Sequence, residues 1–120
     1  MIIVIDDDFD RRFGEIPGVM HATTPEDGLA LVRSHWGEIT HLFLDHDLGY
    51  DDKFLPLDIR PVVSWLEERA VTEGPGKFTI WVHSMNPKAT VLSTGLNNRG
   101  YTCHRVALTF AQKLYHKLVE

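Results

Sequence analysis

Hydrophobic residues form five short runs along the chain, separated by segments in which apolar residues recur at helical spacing. The runs predict strands, because short continuous apolar segments are typical of strands buried on both faces of a sheet. They cover residues 1–5, 18–23, 40–48, 77–83 and 101–106. The most informative is residues 41–48, HLFLDHDL, in which three apolar residues lead directly into Asp45-His46-Asp47.

The segments between the strands predict helices. Four of them begin near Thr24, Arg60, Asn86 and Thr109, and two of these starts combine a capping side chain with proline at the first helical position. Residues 9–14 are too short for a full crossover helix and predict a turn or two. Residues 49–58, GYDDKFLPLD, predict a long irregular loop of the kind that often covers a site.

Strands that alternate with helices indicate a parallel sheet with helices on both faces. The first, third and fourth strands are almost continuously apolar, as central strands are, whereas the second and fifth mix polar and apolar residues, as edge strands do. We therefore predict one domain over residues 1–120: a doubly wound, flavodoxin-like α/β fold with strand order 2-1-3-4-5 and a short first crossover helix.

Composition narrows the functional classes. The net charge of −5 does not indicate a broad nucleic-acid surface, but it is compatible with a small phosphate ligand held through a metal ion. No apolar run has membrane-spanning length, and the N-terminus has no signal-peptide pattern. Cys103 is the single cysteine, which fits the reducing cytoplasm.

Acidic residues and histidines follow three strands that the predicted order places side by side. Ligands of open α/β folds bind at the carboxyl ends of strands. Crowded carboxylates need a cation or a shared proton, and Mg²⁺ or Mn²⁺ prefers oxygen ligands. Histidines at the same edge suit acid–base chemistry or softer metals. The strand-end residues are Asp6, Asp7, Asp45, His46, Asp47, His83 and Ser84, with His104 and Arg105 near the end of the fifth strand.

Each of these elements also has a structural explanation. Asp6-Asp7-Asp8 fits a solvated turn, a histidine at a strand end is often structural, and Asn86 fits a helix cap. The coincidence of acids and histidines at one edge favours a site.

The whole pattern resembles the response-regulator receiver domain. Asp6 and Asp7 match the acidic pair of that family, Asp45 its phosphoacceptor aspartate, and Ser84 the hydroxyl residue after the fourth strand. The resemblance implies the 2-1-3-4-5 sheet and Mg²⁺. One position departs: where a receiver has a lysine after the fifth strand, this chain reads Arg105-Val106-Ala107-Leu108.

The motifs DHDL at residues 45–48 and HSMN at residues 83–86 are more similar to a divergent branch, the cyclic-phosphate processing receiver-like domains. This resemblance implies action on cyclic phosphate ends in RNA repair or conflict settings, including phage genomes. The expected ligand is a small phosphorylated molecule or an RNA 2′,3′-cyclic phosphate end.

The leading hypothesis from sequence is therefore a metal-assisted phosphoesterase. In it a divalent ion is held by three carboxylates, two histidines act as base and acid, a further acid orients one histidine or joins the metal, and two residues bind the phosphate. The residues in these roles are, in order, Asp6, Asp7 and Asp45; His46 and His83; Asp47; and Ser84 and Arg105.

Two alternatives remain open at this point. The first is a signalling receiver in which Asp45 is phosphorylated. The second is a non-catalytic module that uses the same edge of the sheet to bind a ligand.

Overall fold

Five parallel strands form the central sheet in a computed structural model that describes residues 1–120. The strands of the chain are β1 (Ile2–Ile5), β2 (Met20–Ala22), β3 (His41–Asp45), β4 (Asp47–Tyr50), β5 (Pro56–Asp58), β6 (Thr79–His83) and β7 (Thr102–Val106). The helices are α1 (Phe9–Arg12), α2 (Pro25–Ser34), α3 (Arg60–Thr72), α4 (Lys88–Asn98) and α5 (Leu108–Leu118), with a 3₁₀ turn at Trp36–Glu38. The sheet order is β2-β1-β3-β6-β7, which confirms the predicted order of the five strands.

The sheet is covered on both faces, as the doubly wound prediction requires. A cluster of 18 buried apolar residues lies between one face and helices α2, α3 and α4. A smaller cluster of six lies on the other face, where Val4 and Phe43 pack against Phe9 of α1 and Tyr115 of α5. Burying a phenylalanine side chain contributes about 1.5–3 kcal/mol, so the few aromatic residues of the smaller cluster are enough to fix the short helix α1 in place.

The segment after the third strand differs from the sequence prediction. The predicted strand over residues 40–48 stops at Asp45, and a separate strand starts at Asp47. The predicted irregular loop over residues 49–58 is wrong in part, because β4 and β5 pair as an antiparallel hairpin. Its turn is held by Asp51, whose Oδ1 accepts the backbone N–H groups of Lys53 and Leu55, each at 2.9 Å.

The other predicted elements are present with shifts of a few residues at their ends. Helix α1 is a single turn, as its length predicted. Helix α4 begins at Lys88 with Pro87 as its N-cap, so Asn86 is not the cap that the sequence predicts; its Oδ1 accepts the Lys88 backbone N–H at 3.0 Å in the turn before the helix. The longest helix, α3, has 13 residues, and no helix combines the length and hydropathy that a membrane span needs.

Candidate active site

The two faces of the sheet divide the strand-end residues between them. Side chains two positions apart on a strand share a face. Val4, Phe43 and Trp81 pack in the smaller cluster or against it, so the residues two positions further along each strand point to the same side, toward α1 and α5. Those residues are Asp6, Asp45 and His83. Asp45 and His83 are register partners of β3 and β6, which places them side by side.

Asp6, Asp45 and His83 form a compact buried group. His83 Nε2 lies 2.7 Å from Oδ2 of Asp6, and the backbone N–H of Asp8 donates to Oδ1 of Asp6 at 2.8 Å. A carboxylate only accepts hydrogen bonds, so Nε2 of His83 carries the proton in this pair. One ligand atom from each of the three side chains lies within 4.8 Å of the others, which makes the group a possible metal site.

Arg12 of helix α1 supplies a cation to this group. Its Nη1 donates to Oδ2 of Asp45 at 2.9 Å and lies 3.3 Å and 3.2 Å from the two carboxylate oxygens of Asp6. Helix α1 is itself held by α5. Gln112 Nε2 donates to the backbone carbonyl of Arg12 at 2.9 Å, and the hydroxyl of Tyr115 donates to that of Gly14 at 2.7 Å.

One guanidinium between two buried carboxylates leaves the local charge unbalanced. Burial raises the pKa of Asp45 to about 6, and the nearby charge of Asp6 adds to the rise, although Arg12 and His83 oppose it. Burial also acts to raise the pKa of Asp6, but the hydrogen bonds from His83 and from the backbone of Asp8 outweigh it, so that pKa lies below its ordinary value. As the pH falls through about 6, Asp45 is therefore the member of the pair that takes up a proton, while Asp6 stays ionised.

The donor atoms of the group fit a divalent cation. Two carboxylates suit Mg²⁺ or Mn²⁺, and an imidazole nitrogen at the same place is better tolerated by Mn²⁺. Arg12 already contacts the oxygens that such an ion needs. A divalent ion would therefore compete with the Arg12 guanidinium for Asp6 and Asp45, and it would balance both carboxylates, whereas Arg12 balances one.

His46 belongs to a second, separate cluster. Its side chain is 4% exposed, and Nδ1 lies 2.9 Å from Oδ1 of Asp47. The amide of Asn86 donates to the same Oδ1 at 3.2 Å, and the backbone carbonyl of His46 accepts the N–H of Ile59 at 2.9 Å. These contacts join the end of β3 to the start of α4 and to the β4–β5 hairpin. His46 is one position beyond Asp45, so the alternation of side chains directs it away from Arg12.

A cleft of about 460 Å³ opens over the first group. Asp7, Arg12, Asp45 and His83 lie at its floor and sides, Asp47 is a further charged residue in one wall, and His46 is not among the residues that line it. Its other walls come from the β4–β5 hairpin, the β6–α4 connection and the start of α5; they are formed by Asp47, Gly49, Tyr50, Pro56, Leu57, Ser84, Met85, Val106, Ala107 and Leu108.

The sequence model of the cyclic-phosphate processing receiver domain matches residues 1–96. The chain belongs to that family. No curated protein and no solved structure matches the chain. The matched residues contain the metal-binding candidates and Arg12. In this receiver-like domain, Asp45 stands at the end of the third strand of the sheet, where the resemblance to receivers placed the phosphoacceptor.

Of the other site residues that the sequence predicts, two line the cleft and one does not. Asp7 is exposed and lines the cleft, but it stands outside the buried three-residue group. Ser84 lines the cleft, and its Oγ accepts the backbone N–H of Asn86 at 3.0 Å. Arg105 does not line it: the guanidinium donates to Oγ1 of Thr90 at 2.9 Å and to the carbonyl of Ser84 at 3.0 Å, and so holds the β6–α4 connection.

Arg12 is the functional candidate that sequence reasoning missed. The cation expected near Asp45 was sought after the fifth strand, at Arg105, because receivers carry their lysine there. It comes instead from the first turn of helix after β1. A signal was present in the sequence: Arg12 is four residues after Asp8, and i,i+4 pairs share a helix face.

Proposed function

We propose that this protein is a phosphoesterase that opens cyclic phosphates, such as a 2′,3′-cyclic nucleotide or the cyclic phosphate end of an RNA. The observation that supports this is the grouping of Asp6, Asp45 and His83 with Arg12. Three of these four residues, Arg12, Asp45 and His83, line a cleft, and Asp6 is buried behind them. Membership of a family described by cyclic-phosphate processing supports the same substrate class. In the reaction, water attacks phosphorus, one ring P–O bond breaks, and the released oxygen takes a proton. The product is a phosphomonoester beside a free hydroxyl.

Arg12 is the proposed phosphate-binding residue. A guanidinium presents N–H donors in a planar fork that matches two oxygens of a phosphate. Arg12 lines the cleft and is only partly buried, so it reaches a ligand without leaving helix α1. Ser84 is the neutral donor proposed beside it, as the receiver resemblance implies, and it also lines the cleft.

His83 is the proposed proton-transfer residue. Its Nε2 donates to Asp6, which fixes the orientation of the ring. Its Nδ1 is buried and has no hydrogen-bond partner in the chain, so it is the atom left to exchange a proton with water or with the leaving oxygen. His46, with Asp47 and Asn86 on one side of its ring, is assigned to positioning of the hairpin that forms one wall of the cleft.

A divalent ion, Mg²⁺ or Mn²⁺, is the proposed cofactor. Asp6 and Asp45 would hold it, with Asp7 at the edge of the cleft as the further candidate ligand. Such an ion polarises a phosphoryl oxygen and lowers the pKa of a bound water. With an ion on Asp6 and Asp45, the Arg12 guanidinium would be free to bind the phosphate of the substrate.

The test is hydrolysis of a 2′,3′-cyclic nucleotide by the purified protein in Mg²⁺, in Mn²⁺ and in a chelator. We expect turnover with a metal, loss of turnover in His83→Gln, and wild-type turnover in His116→Gln, which changes an exposed histidine of α5. Absence of hydrolysis with both metals contradicts the proposal. Equal turnover in His83→Gln and wild type contradicts the role given to His83.

A phosphoacceptor receiver is the second candidate, and one contact favours it. Nη1 of Arg12 at 2.9 Å from Oδ2 of Asp45 provides the cation that the missing lysine would have supplied. Incubation with a small phosphodonor and mass spectrometry of the intact protein separates the two functions. A phosphoryl adduct that disappears in Asp45→Asn supports signalling, and its absence supports the esterase.

A further inference from the structure

The outer walls of the cleft contain several apolar side chains beside the polar Asp47 and Ser84, whereas its floor is charged. Tyr50, Pro56 and Leu57 of the β4–β5 hairpin form one wall, and Met85 stands at the β6–α4 connection. The charged residues of the floor are sufficient to bind a phosphate group, and they leave the wall residues without a role. The cleft of about 460 Å³ falls within the range of sites for whole small molecules, roughly 300–1,000 Å³, so it accommodates more than a phosphate group.

Two of these wall residues are unusually exposed for their type. Tyr50 is 71% exposed and Met85 is 94% exposed, and neither packs in the two core clusters. Large apolar side chains held at the mouth of a charged cleft gain by contact with a flat apolar group of a ligand. Asp51 closes the turn of the hairpin with two hydrogen bonds, which restrain the backbone next to Tyr50.

We propose that Tyr50 and Met85 form a base-binding subsite, so that the ligand is a nucleotide or a terminal nucleotide and not a sugar phosphate without a base. This inference rests on the proposed function, because the phosphate of the same ligand lies at Arg12. A nucleotide has the complementary pattern: an anion at one end and a flat aromatic ring at the other. Stacking of a base on an aromatic side chain is tolerant of base identity, so all four bases are expected to bind.

Charge limits how much nucleic acid the subsite accepts. The protein has a net charge of −5, and Asp51 and Asp52 follow Tyr50 directly in the hairpin turn. Phosphates upstream of the terminal nucleotide would approach these carboxylates and be repelled. The surface therefore favours a single nucleotide, or the last nucleotide of a strand, over a long track of RNA.

The test is isothermal titration calorimetry with adenosine 3′-monophosphate, ribose 5-phosphate and inorganic phosphate. We expect the nucleotide to bind at least about tenfold more tightly than ribose 5-phosphate. Tyr50→Ala removes this preference, and Tyr50→Phe keeps it because the ring remains. Phe54→Ala is the matched control: Phe54 is in the same hairpin and 86% exposed, but it does not line the cleft, so its loss leaves the affinity unchanged.

The outcomes of this titration distinguish failure of the proposed base-binding subsite from failure of the proposed phosphoesterase function. Equal affinity for the nucleotide and for ribose 5-phosphate, with both weakened by Arg12→Gln, overturns the subsite and leaves the phosphate site in place. No binding of any of the three ligands overturns both. Sedimentation that shows a dimer in the wild type and a monomer in Tyr50→Ala also overturns the subsite, because the hairpin then covers a protein interface.

Discussion

Nη1 of Arg12 lies 2.9 Å from Oδ2 of Asp45 and 3.2 Å from Oδ2 of Asp6, so a single guanidinium serves two buried carboxylates. The ion pair with Arg12 alone would lower the pKa of Asp45, yet that pKa is raised to about 6. The two observations agree because burial and the negative charge of Asp6 raise the pKa of Asp45 by more than Arg12 lowers it. Arg12 is shared, Asp6 is the carboxylate that His83 and Asp8 stabilise, and Asp45 is left with burial and a negative neighbour.

Asp45→Asn is expected to stabilise the protein at pH 8 in the absence of divalent ions. The pKa of Asp45 rises from 3.8 in the unfolded chain to about 6 in the fold, so ionised Asp45 costs stability above pH 6. The cost decreases as the pH falls through 6 and is absent below about pH 3.8. At pH 8 it amounts to at most about 3 kcal/mol.

Urea unfolding of Asp45→Asn and wild type at pH 8, 6 and 4 measures this difference. The advantage of the variant is greatest at pH 8 and vanishes near pH 4. A variant less stable than wild type at pH 8 would show that the contact with Arg12 outweighs burial. Mn²⁺ raises the melting temperature of the wild type and has little effect on the variant, which lacks one proposed ligand.

Arg12→Gln is expected to destabilise the fold and to increase its dependence on metal. It removes the only guanidinium that contacts Asp6 and Asp45, and loss of one partner from a largely buried pair costs several kcal/mol. The Arg12 side chain is 27% exposed, so we expect a smaller loss, about 2 kcal/mol. Mn²⁺ replaces the lost charge, and its stabilising effect is therefore larger in the variant than in the wild type.

Arg11→Gln is the matched control for this measurement. Arg11 precedes Arg12 in the same turn, is 77% exposed, and pairs with Asp8 at the surface. Its loss leaves both the urea midpoint and the metal response unchanged. Equal effects of the two substitutions would assign the stabilisation to helix α1 in general and not to the contacts of Arg12.

Substitutions of the two histidines are expected to have different effects on kcat and KM. His83→Gln lowers kcat by about 10²- to 10⁴-fold, the range for loss of a general acid or base. His46→Gln loosens the link between Asp47 and Asn86 and displaces the hairpin, so it raises KM more than it lowers kcat. Steady-state kinetics on a 2′,3′-cyclic nucleotide decide the matter. Equal losses of kcat in both variants would restore the two-histidine mechanism that the sequence suggested.

Gly49→Ala is expected to destabilise the protein and to disturb the cleft. Gly49 has a φ of 77°, and a Cβ atom there would lie 3.3 Å from Oδ2 of Asp7. The left-handed conformation alone costs alanine about 1–2 kcal/mol. Gly37→Ala is the control, because Gly37 has no atom within 4 Å of the added Cβ and no positive φ. We expect a lower melting temperature and a higher KM in Gly49→Ala, and no change of either in Gly37→Ala.

The strand order was predictable because it depends on burial, which composition reports directly. The continuous apolar runs of β1, β3 and β6 identified the centre of the sheet, and the mixed runs of β2 and β7 identified its edges. The hairpin was not predictable in the same way. Its two strands are short and rich in acids, glycine and proline, and their pairing depends on a turn closed by Asp51.

The members of the candidate site were predictable from the sequence, but their grouping was not. Alternation already implied that Asp45 and His46 point to opposite faces. Which of them shares a face with His83 depends on the register between β3 and β6, and apolar runs without polar positions leave that register open. The position of Arg12 depends on packing of a single helical turn. Its spacing from Asp8 indicates a shared helix face, but it does not indicate that the guanidinium reaches Asp45.

Helix α5 holds the turn that carries Arg12 against the rest of the site. The hydrogen bond from Gln112 to the carbonyl of Arg12 joins residues 100 positions apart, and Gln112 lies beyond the residues that the family model matches. The carboxylates and His83 are placed by strands of the central sheet, whereas Arg12 is placed by contact with the last helix. We therefore expect the amides of α1 to gain protection late in refolding, together with those of α5, in pulsed hydrogen exchange. Until then the two aspartates lack their cation, and a divalent ion added during refolding is the group that can take its place.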